Sequence, residues 1–290
     1  MNKPKYCSPS VKSTKTCFNQ TQLKELVKQY NKHFPDKIHL NSKHLDQKLN
    51  SHLKSLIGDN NHFLWPDYLA SLSHNPTILN ISKITLLPTK PPEWNQNPNK
   101  WLTNLDIDAI LSKFSDTNKF KYHFLGTKSI DFALKHNNVC SIDSECRINI
   151  SDLLKNNKKY LGIVLNLDRH DQPGSHWVSL FFNLDIHSKS YGIYYYDSVS
   201  HSMPSIVTQY IHDIQSQLLT IYKKKPLFYT NNVVHQYGNN ECGMFCICYQ
   251  IRWLKLLHKN KNTTFKDIIN VKINDKMVNQ MRHILFRPTI

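Results

Sequence analysis

Two β-rich runs joined by a short polar connection constrain the fold of this chain more than any other feature. Residues 176–183 and 191–197 are rich in aromatic and β-branched side chains, and the polar connection lies around residues 185–189. This pattern predicts an antiparallel hairpin. Because the far ends of such strands meet, His176 at the start of the first run is expected to lie close to Asp197 at the end of the second.

A second pattern brings a cysteine to the start of a helix. A short predicted strand at residues 227–230 is followed by a polar loop and then by a predicted helix. Cys242 lies at the helix N-terminus, where the helix dipole favours a thiolate, and Gly243 would let a substrate backbone approach closely. Cys246 and Cys248 lie in an apolar run, which is typical of thiols that pack as small hydrophobic side chains.

A fold can bring a cysteine, a histidine and an acid together. In that arrangement the histidine makes the cysteine a thiolate nucleophile, and the acid orients the histidine. Here Cys242 would be the nucleophile, His176 the base and Asp197 the orienting acid. Gln236, six residues before the cysteine, is a candidate oxyanion donor. Taken alone, each residue has a structural alternative, since the histidine could pack at a strand end, the aspartate could form a turn, and the glutamine could be an ordinary loop residue. Together they predict a cysteine protease.

The charge of the chain allows a different interpretation. The formal net charge is +16, from 37 lysines and arginines against 21 acidic residues, and five of the basic residues are arginines. Arginine is the side chain that phosphate and base recognition favour, so a dedicated nucleic-acid role is not preferred. The basic surface still predicts non-specific nucleic-acid association. A non-enzymatic basic protein with a silent protease fold stays open, although the complete set of site residues argues against it.

Cysteine usage and hydropathy favour an intracellular, reducing setting. The seven cysteines are odd in number and irregularly spaced, which is not typical of a secreted disulfide scaffold. The N-terminus shows no signal-peptide pattern, and no apolar run approaches the length of a membrane span, so we expect no membrane association. His136, Cys140 and Cys146 could be metal ligands, but no second pair at zinc-finger spacing accompanies them. We therefore expect no metal site.

Composition divides the chain into three parts. Residues 1–20 are rich in Lys, Ser and Thr, which predicts a disordered basic tail. Residues 21–98 contain helical patterns and end in a proline-rich stretch, so they are predicted to form a helical accessory region with a linker at residues 88–98. Residues 99–290 carry the strands, helices and site residues of a predicted α+β catalytic domain.

The motifs around these residues resemble those of the adenain/SUMO-deconjugating protease clan. That clan has His-Trp, then Asp or Asn, then Gln-x5-Cys-Gly in this order along the chain. Here the matching segments are Gly174-Ser175-His176-Trp177, Asp197-Ser198, and Gln236 followed by Glu241-Cys242-Gly243. Trp101-Leu102-Thr103-Asn104 is similar to the entry motif of the clan. The resemblance covers about residues 100 to 290.

Within the clan, the sequence is most similar to the polyprotein-processing thiol proteases of large cytoplasmic DNA viruses, of asfarvirus and mimivirus type. The segment 281–287 resembles the ending of those enzymes, and a helical extension also precedes their core. The resemblance implies a papain-like core in which helices flank a mixed sheet. It also implies a substrate groove with Trp101, Trp177 and Gly243, and no metal or organic cofactor.

The same resemblance implies a protein substrate, cleaved after small residues of the Gly-Gly-X type. The expected substrate is a viral structural polyprotein processed during virion maturation, in the host cytoplasm and the virion. Two other activities use the same residues and stay open. One is a deconjugase of SUMO-like or ubiquitin-like modifiers, and the other is an acetyltransferase. An inactive basic virion protein is the non-enzymatic alternative.

Overall fold

The polypeptide divides into two units in the computed structural model, which describes residues 5–13, 15–137, 139–143 and 146–288. The first unit comprises the described residues up to Pro92 together with those from Arg282 onward. The second unit comprises Glu93–Met281.

The described residues form ten α-helices and two short 3-10 helices. None of these helices is both long and apolar enough to cross a membrane. The 3-10 helices are His62–Leu64 and Pro92–Asn95, and the α-helices are α1 (Gln20–His33), α2 (Leu45–Ile57), α3 (Trp65–Ser71), α4 (Pro76–Thr85), α5 (Asn104–Ser115), α6 (Ile150–Lys155), α7 (Ser205–Tyr222), α8 (Cys242–Lys259), α9 (Phe265–Ile269) and α10 (Asp275–Leu285).

The strands form one mixed sheet of five and one small pair. They are β1 (Tyr122–Ser129), β2 (Lys135–His136), β3 (Val139–Cys140), β4 (Tyr160–Asn166), β5 (Trp177–Asn183), β6 (Gly192–Tyr196) and β7 (Leu227–Thr230). The large sheet has the order β1-β4-β5-β6-β7, and β2 pairs with β3. The β4–β5 and β5–β6 pairs are antiparallel, whereas β1–β4 and β6–β7 are parallel. The predicted α+β fold with a mixed sheet is confirmed.

Different helices cover the two faces of the sheet, because side chains alternate along each strand. On one face, Leu180, Phe182 and Ile193 pack with the apolar stripe of α7. On the other face, Phe181 stacks on Trp253 of α8, with the ring centroids 4.9 Å apart. Strand β5 is buried along its whole length. The sheet is therefore the core of the second unit.

A buried amide joins α8 to the sheet. The Gln250 side chain donates to the Ser179 hydroxyl (2.7 Å) and to the Leu180 carbonyl (2.8 Å), and its oxygen accepts from the Tyr122 hydroxyl (3.1 Å). Gly162 lies beside this network, and a Cβ there would overlap the Tyr122 hydroxyl. Because buried polar groups stabilise a structure only when they are paired, the network fixes where α8 lies on the sheet.

The N-terminal segment is folded onto the first unit. Cys7 is bonded to Cys17 and pairs with Leu86 in an antiparallel bridge, and Cys17 and Phe18 are each 2% exposed. The prediction of a disordered tail over residues 1–20 is therefore corrected for its described part, while residues 1–4 and 14 lie outside the described residues. The few apolar side chains of this segment are enough to pack it against a cluster that also contains residues of α1–α4.

The end of the chain also belongs to the first unit, which corrects the single predicted catalytic domain at residues 99–290. The Arg287 guanidinium is 5% exposed and is paired with the Asp67 carboxylate. It also donates to the Ser82 hydroxyl (2.8 Å) and to the Leu87 carbonyl (2.9 Å). This separation could not be read from the sequence, because the partners of Arg287 lie about two hundred positions earlier.

The proline-rich segment differs from a flexible linker. The units divide after Pro92, inside the predicted linker at residues 88–98. A 3-10 helix, Pro92–Asn95, begins at this point, and its Trp94 is 7% exposed. A buried tryptophan anchors this part of the segment, which the density of prolines alone did not indicate.

Disulfides are a further departure from the sequence-based expectation. Among the described residues, Cys7 is bonded to Cys17 and Cys140 to Cys146, whereas Cys242, Cys246 and Cys248 are free thiols. The odd number of cysteines gave no sign of these pairs, because each pair closes a short loop whose ends the fold brings together.

Candidate active site

The ends of β5 and β6 bring a histidine and an aspartate together. In the register of this hairpin, Ser179 lies opposite Tyr196, so the residues just before β5 face those just after β6. His176 precedes β5 and Asp197 follows β6. The Nε2 atom of His176 lies 2.7 Å from Oδ1 of Asp197, which is buried with a fully covered side chain. The hairpin geometry expected from the spacing is present.

The third residue of the group, Cys242, reaches the same histidine from helix α8. It is the first residue of the helix and is 3% exposed. The pKa of His176 reflects both neighbours: burial lowers it, but hydrogen bonds and charge interactions with Asp197 and Cys242 outweigh burial and raise it to about 9. Since Nε2 faces Asp197, Nδ1 is the ring nitrogen left for the thiol. The imidazole thus bridges a carboxylate and a sulfur atom.

A buried asparagine that sequence reasoning missed holds Asp197 in place. Asn231 accepts from the backbone N–H of Asp197 (2.8 Å) and donates to its carbonyl (2.7 Å). The N–H of Val199 donates to the carboxylate oxygen Oδ1 that also faces His176 (3.0 Å). These contacts orient the carboxylate toward the imidazole. Asn231 directly follows β7, and a polar residue after a strand next to β6 was the one signal that could have identified it.

Gln236 lies in the loop before Cys242 with a defined amide orientation. Its side chain is buried, and its Oε1 atom accepts from the Ser198 hydroxyl (2.7 Å). Its Nε2 atom donates to the Gly238 carbonyl (2.8 Å), which uses one of the two N–H bonds. Asp275 accepts from the N–H groups of Tyr237 (2.9 Å) and Gly238 (3.2 Å). The loop is therefore held at both its side chains and its backbone.

The other free thiols are in a different electrostatic environment. Burial raises the pKa of Cys246 well above its ordinary value, and burial raises the pKa of Cys248 to about 12. Both thiols therefore stay protonated near neutral pH, and Cys246 is fully buried. Among the three free cysteines, Cys242 is the one that contacts an imidazole.

A cleft of about 460 Å³ is lined by Ser175 and Trp177, the chain neighbours of His176, whereas His176 and Cys242 do not line it. Trp101, which is 46% exposed, and Trp177 both line this cleft, and their predicted positions in a substrate groove stay a prediction. The Trp177 indole donates to the Leu102 carbonyl (3.1 Å), which fixes the ring.

Gly243 does not line this cleft, and its predicted contact with substrate stays a prediction. The residue is buried, and a Cβ on it would lie 3.1 Å from the Leu102 Cβ and 3.3 Å from both Ile107 and Trp177. The absence of a side chain lets α8 approach the segment before α5 and the indole of Trp177. The glycine at this position allows close packing, including against Trp177, which lines the cleft.

Cys140 and Cys146, which were considered as metal ligands together with His136, are bonded to each other. The expectation that no metal binds near His136 stays a prediction. Within the described part of the chain, the group of side chains with metal-ligand spacing is Cys7, Cys17 and His62, in the first unit.

Comparison with known families decides the class of the protein. Residues 100–287 match the model described as the Ulp1 protease family, C-terminal catalytic domain. The chain belongs to the Ulp1 protease family. It is therefore a cysteine protease, and the matched residues contain His176, Asp197, Gln236 and Cys242.

Viral proteins are among its relatives. A protein of Acanthamoeba polyphaga mimivirus that is named as a thiol protease is 26% identical over 303 residues, which cover 95% of this chain and 90% of that protein. A cysteine protease of African swine fever virus is 26% identical over 193 residues, which cover 64% of this chain and 67% of that protein. The selenomethionine crystal structure of the African swine fever virus pS273R protease matches with a TM-score of 0.65 and 18% identity, over 99% of this chain and 97% of that chain. The structural likeness supports the fold.

Proposed function

We propose that this protease is an endopeptidase in which Cys242 is the nucleophile, His176 its base and Asp197 the residue that orients the base. The observation that carries the proposal is the contact of one imidazole with both the Asp197 carboxylate, at 2.7 Å, and the Cys242 thiol. A histidine with a raised pKa holds the proton taken from the thiol, so the thiolate–imidazolium pair is favoured.

The chemistry follows from these positions. His176 accepts the thiol proton, and the Cys242 thiolate attacks the carbonyl carbon of the scissile bond. The imidazolium then donates its proton to the leaving amine, and water hydrolyses the resulting thioester. Asp197 stabilises the imidazolium throughout. This sequence of steps needs no metal or organic cofactor.

We propose that Gln236 stabilises the oxyanion together with the backbone N–H of Cys242. The Ser198 hydroxyl donates to Oε1 and so fixes the amide with its nitrogen as the donor. One N–H of that nitrogen bonds the Gly238 carbonyl, and the second would donate to the tetrahedral intermediate. Removing one such donor typically raises the barrier by about 3–4 kcal/mol.

We propose a protein substrate that is cut after small residues, of the Gly-Gly-X type. The support is the resemblance to the SUMO-deconjugating protease clan, which often cleaves after a Gly-Gly pair in a narrow groove through which only residues without a Cβ pass. Trp101 and Trp177, which that resemblance assigns to the groove, line the same cleft. The viral relatives are named as thiol or cysteine proteases, and from the resemblance to viral polyprotein-processing proteases we propose a role in processing viral structural polyproteins during virion maturation. This role implies activity in the host cytoplasm and the virion.

A direct assay separates the proposed activity from the alternatives. The wild-type chain is incubated with peptides that contain Gly-Gly-X, Ala-Ala-X or Val-Val-X, and with vinyl sulfones of SUMO-like and ubiquitin-like modifiers, with Cys242→Ala as the control. We expect cleavage after Gly-Gly and slow or no reaction with the modifier probes. Rapid labelling by a modifier probe without peptide cleavage would identify a deconjugase, and acetyl-enzyme formation from acetyl-CoA would identify an acetyltransferase.

The basic surface is a separate matter from catalysis. The charge of +16 supports the proposal of loose, non-specific nucleic-acid association. Such binding predicts an affinity for duplex DNA that falls steeply as the salt concentration is raised. The affinity should be the same for DNA duplexes of unrelated sequence. Affinity that is insensitive to salt would remove this part of the proposal.

A further inference from the structure

A second cluster of reactive side chains lies in the first unit. The sulfur atoms of Cys7 and Cys17 and a ring nitrogen of His62 lie within 4.8 Å of one another. The two sulfurs are bonded to each other, and both cysteines are buried. The proposed protease mechanism uses none of these residues.

The orientation of His62 leaves one ring nitrogen, Nε2, with an unused lone pair. Its ring donates to the Asn60 backbone carbonyl, while Nε2 is buried and has no hydrogen-bond partner among the residues that the structure describes. Nδ1 is therefore the protonated nitrogen, and Nε2 carries the lone pair. A buried nitrogen without a partner costs free energy unless something binds it, and a carbonyl on the opposite nitrogen is the usual support of a metal-bound histidine.

We propose that Cys7, Cys17 and His62 bind a zinc ion when the Cys7–Cys17 disulfide is reduced. Zinc bonds thiolate sulfur at about 2.3 Å and imidazole nitrogen at about 2.0–2.1 Å, so two thiolates on one tetrahedral ion lie about 3.8 Å apart. Three atoms within 4.8 Å reach this arrangement through rotation of two cysteine side chains. A water molecule takes the fourth position.

The exchange between the two states balances. A dithiol reductant breaks the Cys7–Cys17 bond, gives each sulfur a hydrogen and leaves as a cyclic disulfide. Zinc then replaces the two thiol protons, which pass to the solvent, and it binds the neutral His62 nitrogen without displacing a proton. In the reverse direction, a disulfide oxidant takes two electrons from the Cys7 and Cys17 thiolates, which re-form their bond, and the oxidant leaves as two thiols. The bonded sulfurs no longer carry the negative charge that binds zinc, so the metal ion is released.

Both states would hold the N-terminal segment on the first unit. Around Cys7, the Leu87 N–H donates to the Tyr6 carbonyl (2.8 Å), and the Ser8 N–H donates to the Thr85 carbonyl (2.8 Å). A cross-link between Cys7 and Cys17 closes the loop that follows this short pairing. A protease that works through a thiolate needs reducing conditions, in which the disulfide opens, and zinc would preserve the cross-link there.

The test measures zinc binding in the two redox states. The chain carries Cys242→Ala, so that the active-site thiol cannot bind metal. It is prepared oxidised, or reduced with dithiothreitol that is then removed under anaerobic conditions, and zinc is titrated against a chromophoric chelator. We expect one tightly bound zinc ion in the reduced chain and none in the oxidised chain. Cobalt in place of zinc should give thiolate-to-metal charge-transfer absorption.

Variants and thiol protection make the outcome decisive. Cys7→Ser should abolish tight binding and His62→Gln should weaken it at least about tenfold, whereas Cys140→Ser, in the other disulfide, should bind as the parent does. Zinc should also slow alkylation of Cys7 and Cys17 in the reduced parent, a readout that needs no variant. Absence of zinc from the reduced chain, or unchanged affinity in His62→Gln, would overturn the proposal, and neither result bears on proteolysis.

Discussion

At the scale of single residues, the site depends on neighbouring residues whose hydrogen bonds hold Asp197 and Gln236 in one orientation. Asn231 holds Asp197 at two backbone atoms, and Ser198 holds the amide of Gln236. The three reactive residues were predictable because the hairpin and the helix start place them by spacing. Asn231 was not, because its partner lies thirty-four positions away and one asparagine among many carries no periodic signal.

The raised pKa of His176 predicts the alkaline limit of activity. Its imidazolium persists up to about pH 9, since burial is outweighed by Asp197 and Cys242. We expect kcat/KM to fall as pH rises through about 9. Asp197→Asn removes the stabilising charge while an amide can still orient the ring, so partial activity should remain and the alkaline limb should move to lower pH.

Rates between pH 5 and 10 test this expectation, with Asp213→Asn as the control. That substitution also removes one negative charge, but Asp213 is paired with Lys135 on the surface. An alkaline limb that stays in place in Asp197→Asn would remove Asp197 from the account.

The oxyanion role of Gln236 predicts a loss confined to reactions that build a tetrahedral intermediate. Gln236→Ala should lower kcat by roughly 10²–10³-fold with little change in KM. Ser198→Ala, which frees the amide to rotate, should lower kcat about tenfold, and Ser198→Thr should restore it. Alkylation of Cys242 by iodoacetamide forms no oxyanion, so its rate should stay near that of the wild type. Equal losses in alkylation and hydrolysis would indicate that Gln236 only supports the loop.

At the scale of elements, sequence patterns predicted the parts of the fold with regular periodicity. The strands β5, β6 and β7 follow the predicted boundaries closely, and helix α8 begins at Cys242, at the predicted helix start. Strand β1 was missed because Gly126, with a φ of 93°, lies within it and the pairing with β4 shifts between Phe124 and Thr127. A bulge breaks the period-two pattern on which strand prediction depends. Helices α3 and α4 lie inside the predicted helical region but were not located individually, and each has a proline among its first two residues.

The junction between α8 and the sheet gives a prediction at this scale. Gln250→Leu leaves the Ser179 and Tyr122 hydroxyls without their buried partner, so the free energy of unfolding should fall by about 2–3 kcal/mol. Because the same helix carries Cys242, kcat should fall as well. Urea unfolding and kcat measure the two effects, with exposed Gln209→Leu on α7 as the control. An unfolding free energy equal to that of the wild type would contradict the assigned role of Gln250.

At the scale of the whole molecule, the two ends of the chain contribute to the same unit. The N-terminal segment pairs with residues 85–87, and Arg287 is bound to Asp67. Sequence composition divided the chain linearly into tail, accessory region and catalytic domain. It could not show that the segment after Met281 leaves the second unit, because that depends on contacts of Arg287 with Asp67, Ser82 and Leu87, which are distant in the sequence.

Arg287 therefore matters for stability more than an ordinary C-terminal residue. Arg287→Ala leaves the Asp67 carboxylate, which is 24% exposed, without its cation, and should lower the free energy of unfolding by about 3–5 kcal/mol. The double variant Asp67→Asn with Arg287→Met should recover part of this loss, since no unpaired charge remains. Thermal and urea unfolding measure both. Wild-type stability of Arg287→Ala would show that the ion pair does not hold the C-terminal segment.

The central claim, that this chain is a protease with Cys242 as its nucleophile, is tested most directly by covalent trapping. The folded wild type is treated with a Gly-Gly peptide that ends in a vinyl sulfone, and the modified residue is located by peptide mass spectrometry. One adduct on Cys242 is expected, with loss of peptide cleavage in proportion to labelling and with no adduct in Cys242→Ala. An adduct on Cys246 or Cys248, or peptide cleavage that survives Cys242→Ala, would contradict the account.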